Sequence, residues 1–296
     1  MAYHTTPYLL LFLPAALLFY QITPAKWRSY TLLIFSYLFF WSFSEKLIIY
    51  LIGTTFLTHH ICIWMDTMDK RDKRKKRVFQ LGILLLLGTI LCLKYRNFFF
   101  GNVSKLAMVL HIDWSYQDQL IFLPIGISFY TFQALSYVID VYRGEVPAQH
   151  NFWHMLLYIS FFPQLIAGPI VKYRDIAAQI TGRKETIRKF AAGIMRFCWG
   201  LGKKVLLANS FARVVDEIFK YGPYAVSRKA LWLGAILYMM QIYYDFSGYS
   251  DMAIGLGKMF GFGFQENFNY PYTAGSVQEF WHRWHISLSS WFRDYV

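Results

Sequence analysis

FWHRWHISLSSWFRDY, residues 280–295, is the stretch of this sequence that decides how the rest of the chain is interpreted. It holds two histidines, two arginines, one aspartate, three serines and three tryptophans, whereas the chain before it is mostly apolar. Apolar segments long enough to lie in lipid follow one another closely before this stretch. We therefore interpret the earlier part as a membrane scaffold and residues 280–295 as the segment that carries the functional side chains.

The composition is typical of a polytopic membrane protein. Of 296 residues, 56% are hydrophobic and 16% are charged, and soluble domains carry about a quarter charged residues. The alternative is a large soluble enzyme with a very apolar core. The net charge of +13 fits cytoplasmic loops rich in Lys and Arg, so we expect membrane lipid and no nucleic acid as partners. The cysteines Cys62, Cys92 and Cys198 form no CxxC pair, so neither a metal site nor a disulfide framework is expected.

Loop charges predict the topology. The run KRDKRKKR at residues 70–77 is expected to be a cytoplasmic loop on anionic headgroups, which places the N-terminus outside. The first apolar segment lacks a basic region before it and a cleavage site after it, so we expect it to stay in the protein. The predicted apolar segments are residues 7–22, 30–43, 46–65, 78–93 and 120–141, with a mixed interfacial stretch at 95–119.

The sequence of residues 153–170 predicts a helix that is interrupted at membrane depth. Pro163, Gly168 and Pro169 make a straight helix unfavourable, and broken backbone is tolerated in a membrane only where protein or water satisfies it. We interpret the segment as re-entrant, with a kinked spanning helix as the alternative. An amphipathic cytoplasmic helix is expected at residues 175–189.

The apolar stretches 190–208 and 228–262 carry unexpected polar groups. The sequence GLGKK at residues 200–204 predicts close helix packing at its glycines, and its lysines are expected to snorkel or to contact an acidic ligand. Asp245 and Asp251 are expected to face the interior or a cavity, or only to bond to neighbouring helices.

Several chemistries fit residues 280–295. If they are helical, His282 and His285 share one face. A histidine there is a candidate general base toward a hydroxyl. The pair is also a weak metal motif, since it lacks a third ligand. Alternatively, the cluster carries protons in a transporter, or its tryptophans and arginines only anchor the chain at headgroup level.

FWHRWHISLS (280–289) followed by WFRDY (291–295) resembles the signature of the membrane-bound O-acyltransferase family, and most of all its bacterial branch of alginate and peptidoglycan O-acetylation proteins. YDFSGYSDMAIGLG (244–257) and ENFNYPY (266–272) support the resemblance, as do residues 123–144 and 161–175. It runs from about residue 120 onward and more loosely before that.

The resemblance implies one all-α domain over residues 1–296, a ring of transmembrane helices with re-entrant segments in the bacterial inner membrane. It implies transfer of acetyl groups from a cytoplasmic thioester donor, acetyl-CoA or an acyl carrier, to hydroxyls of a polysaccharide such as alginate or peptidoglycan. It implies no bound cofactor or metal, and an extracytoplasmic acetyltransferase as partner. Family members are longer and carry a second histidine downstream, so the domain is expected to be incomplete at its C-terminus and inactive by itself.

The site residues are assigned on this basis. His285 is the catalytic candidate. The candidates for substrate binding or tunnel lining are His282, Arg283, Trp284, Ser287, Asp245, Asp251 and Asn267. The candidates for holding the conformation are Pro163, Pro169, Arg293 and Asp294. A transporter and an inactive scaffold that recruits a partner remain the competing functions.

Overall fold

The computed structural model describes residues 2–69, 71–114, 116–117, 123–166, 168–221 and 226–296, and within them the regular secondary structure is helical. The all-α prediction is confirmed. The chain forms two compact units, Met1–Phe35 with Phe161–Val296, and Ser36–Ser160. The candidate site lies in the first unit.

The described residues form fourteen α-helices. In chain order they are α1 (Leu13–Ile22), α2 (Arg28–Ser44), α3 (Ile48–Asp66), α4 (Lys73–Lys94), α5 (Arg96–Val109), α6 (Ile127–Arg143), α7 (Phe152–Ser160), α8 (Phe162–Leu165), α9 (Tyr173–Gly182), α10 (Ile187–Gly202), α11 (Asn209–Lys220), α12 (Arg228–Met259), α13 (Val277–Arg283) and α14 (Ile286–Tyr295). Tyr8–Phe12 and Lys203–Ala208 are π-helical, and Ala25–Trp27, Glu45–Leu47 and Pro271–Thr273 are 3₁₀ turns.

Two helices of the described chain, α3 with 19 residues and α4 with 22, are long and apolar enough to cross a membrane. Large apolar side chains also face outward: Leu11 is 71% exposed and Leu84 of α4 is 67% exposed. Outward-facing leucines of this kind suit a lipid environment. The larger number of spans expected from the sequence stays a prediction.

One predicted boundary is wrong and another lies outside the described residues. The fourth apolar helix begins at Lys73 instead of residue 78, because Asp72 caps it by accepting a hydrogen bond from the Arg74 N–H at 2.7 Å. Most of the basic run therefore forms the first turns of α4, while its first residue, Lys70, lies outside the described residues. The start of the segment predicted at residues 120–141 also lies outside them, and α6 begins at Ile127.

The helix predicted at residues 175–189 is interrupted. It ends at Gly182, and Arg183 is extended. Thr186 then caps α10 by accepting a hydrogen bond from the Lys189 N–H at 3.1 Å. A new helix therefore starts inside the predicted one.

The predicted break in residues 161–169 is confirmed. The four-residue α8 has Pro163 in its first turn, and Pro169 is buried in the non-helical chain that follows; Ala167, within this stretch, lies outside the described residues. Side chains satisfy the freed backbone: the Tyr3 hydroxyl donates to the Phe162 carbonyl at 2.5 Å, and the Ile170 N–H donates to Ser287 Oγ at 3.0 Å. These bonds meet the requirement for broken backbone in an apolar setting.

Helices α10 and α12 approach closely at two glycine pairs, Gly193 with Gly255 and Gly200 with Gly248. The predicted close packing is thus confirmed for Gly200. It is wrong for Gly202, where a Cβ would meet nothing within 4 Å.

Candidate active site

The turn between α13 and α14 separates the two histidines of the motif. Trp284 is extended, and His285 has left-handed backbone angles, φ 43° and ψ 55°. The expectation that His282 and His285 share a helix face is therefore wrong, because the helix ends at Arg283. His282 is exposed on α13, whereas His285 is buried.

Asn267 holds this turn through its backbone and its side chain. Its carbonyl accepts the Ile286 N–H at 2.9 Å. Its side-chain Oδ1 lies 3.1 Å from His285 Nδ1, 2.8 Å from Ser287 Oγ and 3.2 Å from the Ser287 N. Its Nδ2 donates to Ser250 Oγ of α12 at 2.9 Å. Asn267, His285 and Ser287, all predicted site residues, therefore form one buried network.

Aromatic rings surround the His285 imidazole. Phe246 lies edge-on with ring centroids 4.7 Å apart, and Phe268 lies nearly parallel at 6.4 Å. His285 lies between two short helices, outside the two candidate spans. Its burial lowers the pKa of the imidazole to about 4. At neutral pH the ring is therefore uncharged, and one of its nitrogens carries an unprotonated lone pair.

A cavity of about 700 Å³ adjoins this network through Ile286 and Phe268. Its wall combines aromatic rings, charged groups and an amide. The lining residues are Arg196, Trp199, Lys203, Tyr243, Tyr244, Asp251, Glu266, Phe268, Asn269, Tyr270 and Ile286. A wall that combines aromatic rings with placed polar groups is suited to a small-molecule site.

The charged wall of the cavity is centred on Asp251. Arg196 Nε donates to its Oδ1 at 2.8 Å, and Lys203 Nζ to its Oδ2 at 2.6 Å. Arg196 also pairs with Glu266. Sequence reasoning missed Arg196, although a lone charge inside the apolar stretch IMRFCW (194–199) was a usable signal.

Asp245 lies in a second ion pair, 2.6 Å from Lys204 Nζ. Lys203 and Lys204 are consecutive, yet both reach α12, and both belong to the π-helical turn between α10 and α11. Both lysines thus pair with aspartates of α12, and their contact with an acidic ligand stays a prediction.

Asp294 ties α14 to the segment that follows the break. Its Oδ2 lies 2.5 Å from Lys172 Nζ and 2.6 Å from Arg174 Nη2. Burial favours the neutral acid, but the hydrogen bond from Lys172 and the two cationic charges outweigh it and lower the pKa of Asp294. Arg293 is more loosely placed, with Nε 3.5 Å from Asp294 Oδ1.

Two further predicted residues lie around α13. Arg283 bonds to Glu279 Oε1 at 2.6 Å and to Thr273 Oγ1 at 3.0 Å. The Trp284 ring packs on Phe268, with centroids 5.2 Å apart. Within the described residues, no group of three or more His, Cys, Asp or Glu side chains has the arrangement of a metal site.

These features are those of a helical membrane protein that buries a neutral histidine beside an aromatic cavity. The sequence profile of the membrane-bound O-acyltransferase family matches residues 144–296, and the chain belongs to this family. The resemblance seen in the sequence is thereby confirmed.

Curated relatives refine the comparison. The chain is 40% identical to probable alginate O-acetylase AlgI of Pseudomonas aeruginosa, over 100% of this chain and 56% of that protein. It is 30% identical to the peptidoglycan O-acetyltransferase of Helicobacter pylori, over 99% of this chain and 60% of that protein. It is 31% identical to the teichoic acid D-alanyltransferase of Bacillus subtilis, over 58% of this chain and 44% of that protein. The chain thus spans less than two thirds of the length of these relatives.

Proposed function

We propose that this protein is an O-acyltransferase that moves acetyl groups from a cytoplasmic thioester donor, acetyl-CoA or an acyl carrier, to hydroxyls of a cell-envelope polysaccharide such as alginate or peptidoglycan. The observation that carries the proposal is His285, buried, uncharged and adjacent to the aromatic cavity. Membership of the family and the names of the relatives support the acyl group and the class of acceptor.

In this proposal His285 accepts the proton of the attacking hydroxyl as the oxygen bonds to the acyl carbon. The carbon–sulfur bond of the thioester breaks, and the proton passes to the leaving thiolate, so that an ester and a thiol are the products. The cavity lined by Tyr243, Tyr270 and Asp251 holds the substrate. Asp294 and Arg293 hold α14 against the segment around Lys172, and Pro163 and Pro169 shape the break before it. The exposed position of His282 favours a contact with substrate or headgroups over a role in proton transfer.

The test of function follows acetyl transfer in isolated membranes. Membranes that contain the full-length protein, given labelled acetyl groups, should yield labelled polysaccharide from which mild base releases acetate. His285→Ala should lower the label by at least about 100-fold, and Lys220→Ala, whose side chain is 68% exposed, serves as a control at equal expression. Full acetylation by His285→Ala would remove the proposed role of His285. Absence of acetylation by the unaltered protein would refute the proposed function.

We also propose a multi-pass placement in the bacterial inner membrane, as a single ring of helices in which residues 153–170 are re-entrant. The N-terminus lies outside and residues 70–77 lie in the cytoplasm. In a protein without Cys62, Cys92 and Cys198, a cysteine placed by Lys73→Cys should resist an impermeant thiol reagent until cells are opened. One placed by Ala2→Cys should react in intact cells. The reverse pattern would invert the topology.

An extracytoplasmic acetyltransferase is the proposed partner that receives the acetyl group. Co-purification of such a transferase with the His285→Ala protein would support recruitment independent of chemistry, and failure of the unaltered protein to retain it would oppose the partnership. The transporter alternative loses support because Asp245 and Asp251 are both paired with cations. Solute flux in liposomes that lack an acyl donor would restore it.

A further inference from the structure

We propose that Asn267 is a positioning residue, which fixes His285 as the neutral tautomer with its proton on Nδ1 and so leaves Nε2 as the basic nitrogen. The catalytic meaning of this inference rests on the proposed function. The tautomer itself does not, since it is a property of the folded protein. Asn267 was expected among the tunnel-lining residues, whereas its side chain is 0% exposed.

The first step is the orientation of the Asn267 amide. The Ser287 backbone N–H has only a proton to offer, so the side-chain atom 3.2 Å from it is the oxygen, Oδ1. The other end agrees, because Nδ2 lies 2.9 Å from Ser250 Oγ, which has lone pairs to accept it. The contact with the Ser287 N–H therefore determines which atom faces His285, and the contact with Ser250 is compatible with that orientation.

The second step is the imidazole. An amide oxygen has no proton, so His285 Nδ1 donates to Asn267 Oδ1 at 3.1 Å. The Ser287 hydroxyl also lies 3.4 Å from Nδ1, but it donates its proton to Asn267 Oδ1 at the shorter distance of 2.8 Å. The opposite tautomer would set two lone pairs against each other in a buried site. A neutral imidazole with a proton on Nδ1 carries its basic lone pair on Nε2. This is the arrangement in which an imidazole is oriented through one nitrogen and reacts through the other.

The third step separates the side chain from the backbone. Backbone bonds hold the turn independently of the amide group: Ile286 N–H to the Asn267 carbonyl, and Asn269 N–H to the Arg283 carbonyl, both at 2.9 Å. Substitution of Asn267 by an apolar residue therefore removes the hydrogen bond to His285 while it leaves these backbone bonds in place. Phe246, Phe268, Asn267 and Ser287 contact the imidazole, and each of these four side chains is uncharged.

The experiment reads the imidazole directly. The full-length protein is labelled with ¹⁵N-histidine in detergent, and the His285 signals are identified by their absence in His285→Asn, since the chain has eight histidines. We expect the Nδ1–H tautomer at pH 7. Asn267→Leu should lose this preference. Asn267→Asp should keep it, because a carboxylate oxygen still accepts from Nδ1, and should raise the pKa of His285 by more than about one unit.

Activity gives the second readout. In Asn267→Asp the acid limb of the pH–rate profile should shift to higher pH, together with the pKa of His285 measured by NMR. Asn267→Leu should lower the rate at saturating substrate with little change in KM. Ser250→Ala removes a bond to Nδ2 only and should keep the tautomer. A proton on Nε2 in the unaltered protein, or an unchanged tautomer and pKa in both Asn267 variants, would overturn the inference. If Asn267→Leu does not fold, the tautomer and the pKa of His285 in Asn267→Asp test the inference. A correct tautomer without acetyl transfer would refute the proposed function alone.

Discussion

Gly200 of α10 and Gly248 of α12 meet backbone to backbone. A Cβ on Gly200 would lie 2.5 Å from the Gly248 carbonyl oxygen, and a Cβ on Gly248 would lie 2.8 Å from the Gly200 carbonyl oxygen. Seven residues away on each helix, Gly193 and Gly255 repeat this reciprocal contact at 2.7 Å. The Arg196–Asp251 ion pair lies between the two glycine pairs along the helices. The charged wall of the cavity therefore depends on an unusually close helix crossing.

Gly200→Ala should destabilise the protein by about 2–3 kcal/mol, because the added methyl has to push two backbones apart. A lower midpoint of thermal unfolding in detergent would show this. Because the same shift would separate Arg196 from Asp251, substrate affinity should fall as well.

Gly202→Ala is the matched control on the same helix. Its Cβ would enter open space and its backbone is helical, so the change should be neutral or stabilise by up to about 1 kcal/mol. Equal destabilisation by the two substitutions would show that the contact with Gly248 does not govern this position.

Asp294→Ala should cost about 3–5 kcal/mol, because it removes the carboxylate that compensates the buried Lys172. The Lys172 side chain is only 5% exposed, and its Nζ lies 2.5 Å from the carboxylate. Denaturation followed by the circular dichroism of the helices would measure the loss.

Arg293→Ala is the control for that experiment. Its side chain is 67% exposed and its contact with Asp294 is 3.5 Å, so a change within about 0.5 kcal/mol is expected.

The pKa of Asp294 is lowered in the folded state. Its contribution should therefore be complete above the ordinary carboxyl pKa and disappear as the pH falls through its lower folded value.

The helical segments could be predicted because their apolar runs are long and charge-poor. The break at Pro163 was visible because proline removes a backbone donor. Helix ends were less predictable: Asp72 and Thr186 act as caps, but many polar residues in this sequence could have done so.

The centre of the site was only partly predictable. His285, Ser287 and Asn267 were singled out, but nothing in their residue types indicates the left-handed turn that buries one histidine and exposes the other. Asn267 meets His285 across 18 residues of chain, and contacts at such separation depend on tertiary packing. The partners of Asp251 likewise become evident only when α10 lies against α12.

His285 should make the protein sensitive to mild acid. Its pKa is lowered to about 4 in the folded state, and an unfolded histidine titrates near 6.5. The unfolded chain therefore binds more protons between these values, so the contribution of His285 to stability is complete above about pH 6.5 and declines by about 3 kcal/mol toward pH 4.

His285→Asn is the matched variant, since its side-chain amide keeps a donor toward Asn267 and does not titrate. Unfolding midpoints measured from pH 7.5 to 4 should fall less steeply in this variant. Parallel pH curves for the two proteins would contradict a buried neutral imidazole.

Tyr270, at the cavity wall, is a strained residue. It has left-handed angles, φ 46° and ψ 58°, although it is not glycine and although Pro271 follows it. The residue before proline prefers extended backbone, so both features oppose this conformation. The ring is 73% exposed, so burial does little to offset the strain. Strain of about 1–3 kcal/mol that persists at a cavity points to a function for the side chain.

Tyr270→Gly should keep or raise the free energy of unfolding, by up to about 1 kcal/mol, because glycine adopts left-handed backbone without strain. The relief of strain exceeds the entropic cost of glycine's greater freedom in the unfolded chain. Tyr270→Ala removes the same ring but keeps the strain, so it should be less stable than Tyr270→Gly. Both should lose acetyl transfer to a similar extent if the ring contacts substrate. Calorimetry and the labelled-acetyl assay on the pair separate these effects. A glycine variant that is both less stable than the alanine variant and fully active would show that Tyr270 serves the fold and not the site.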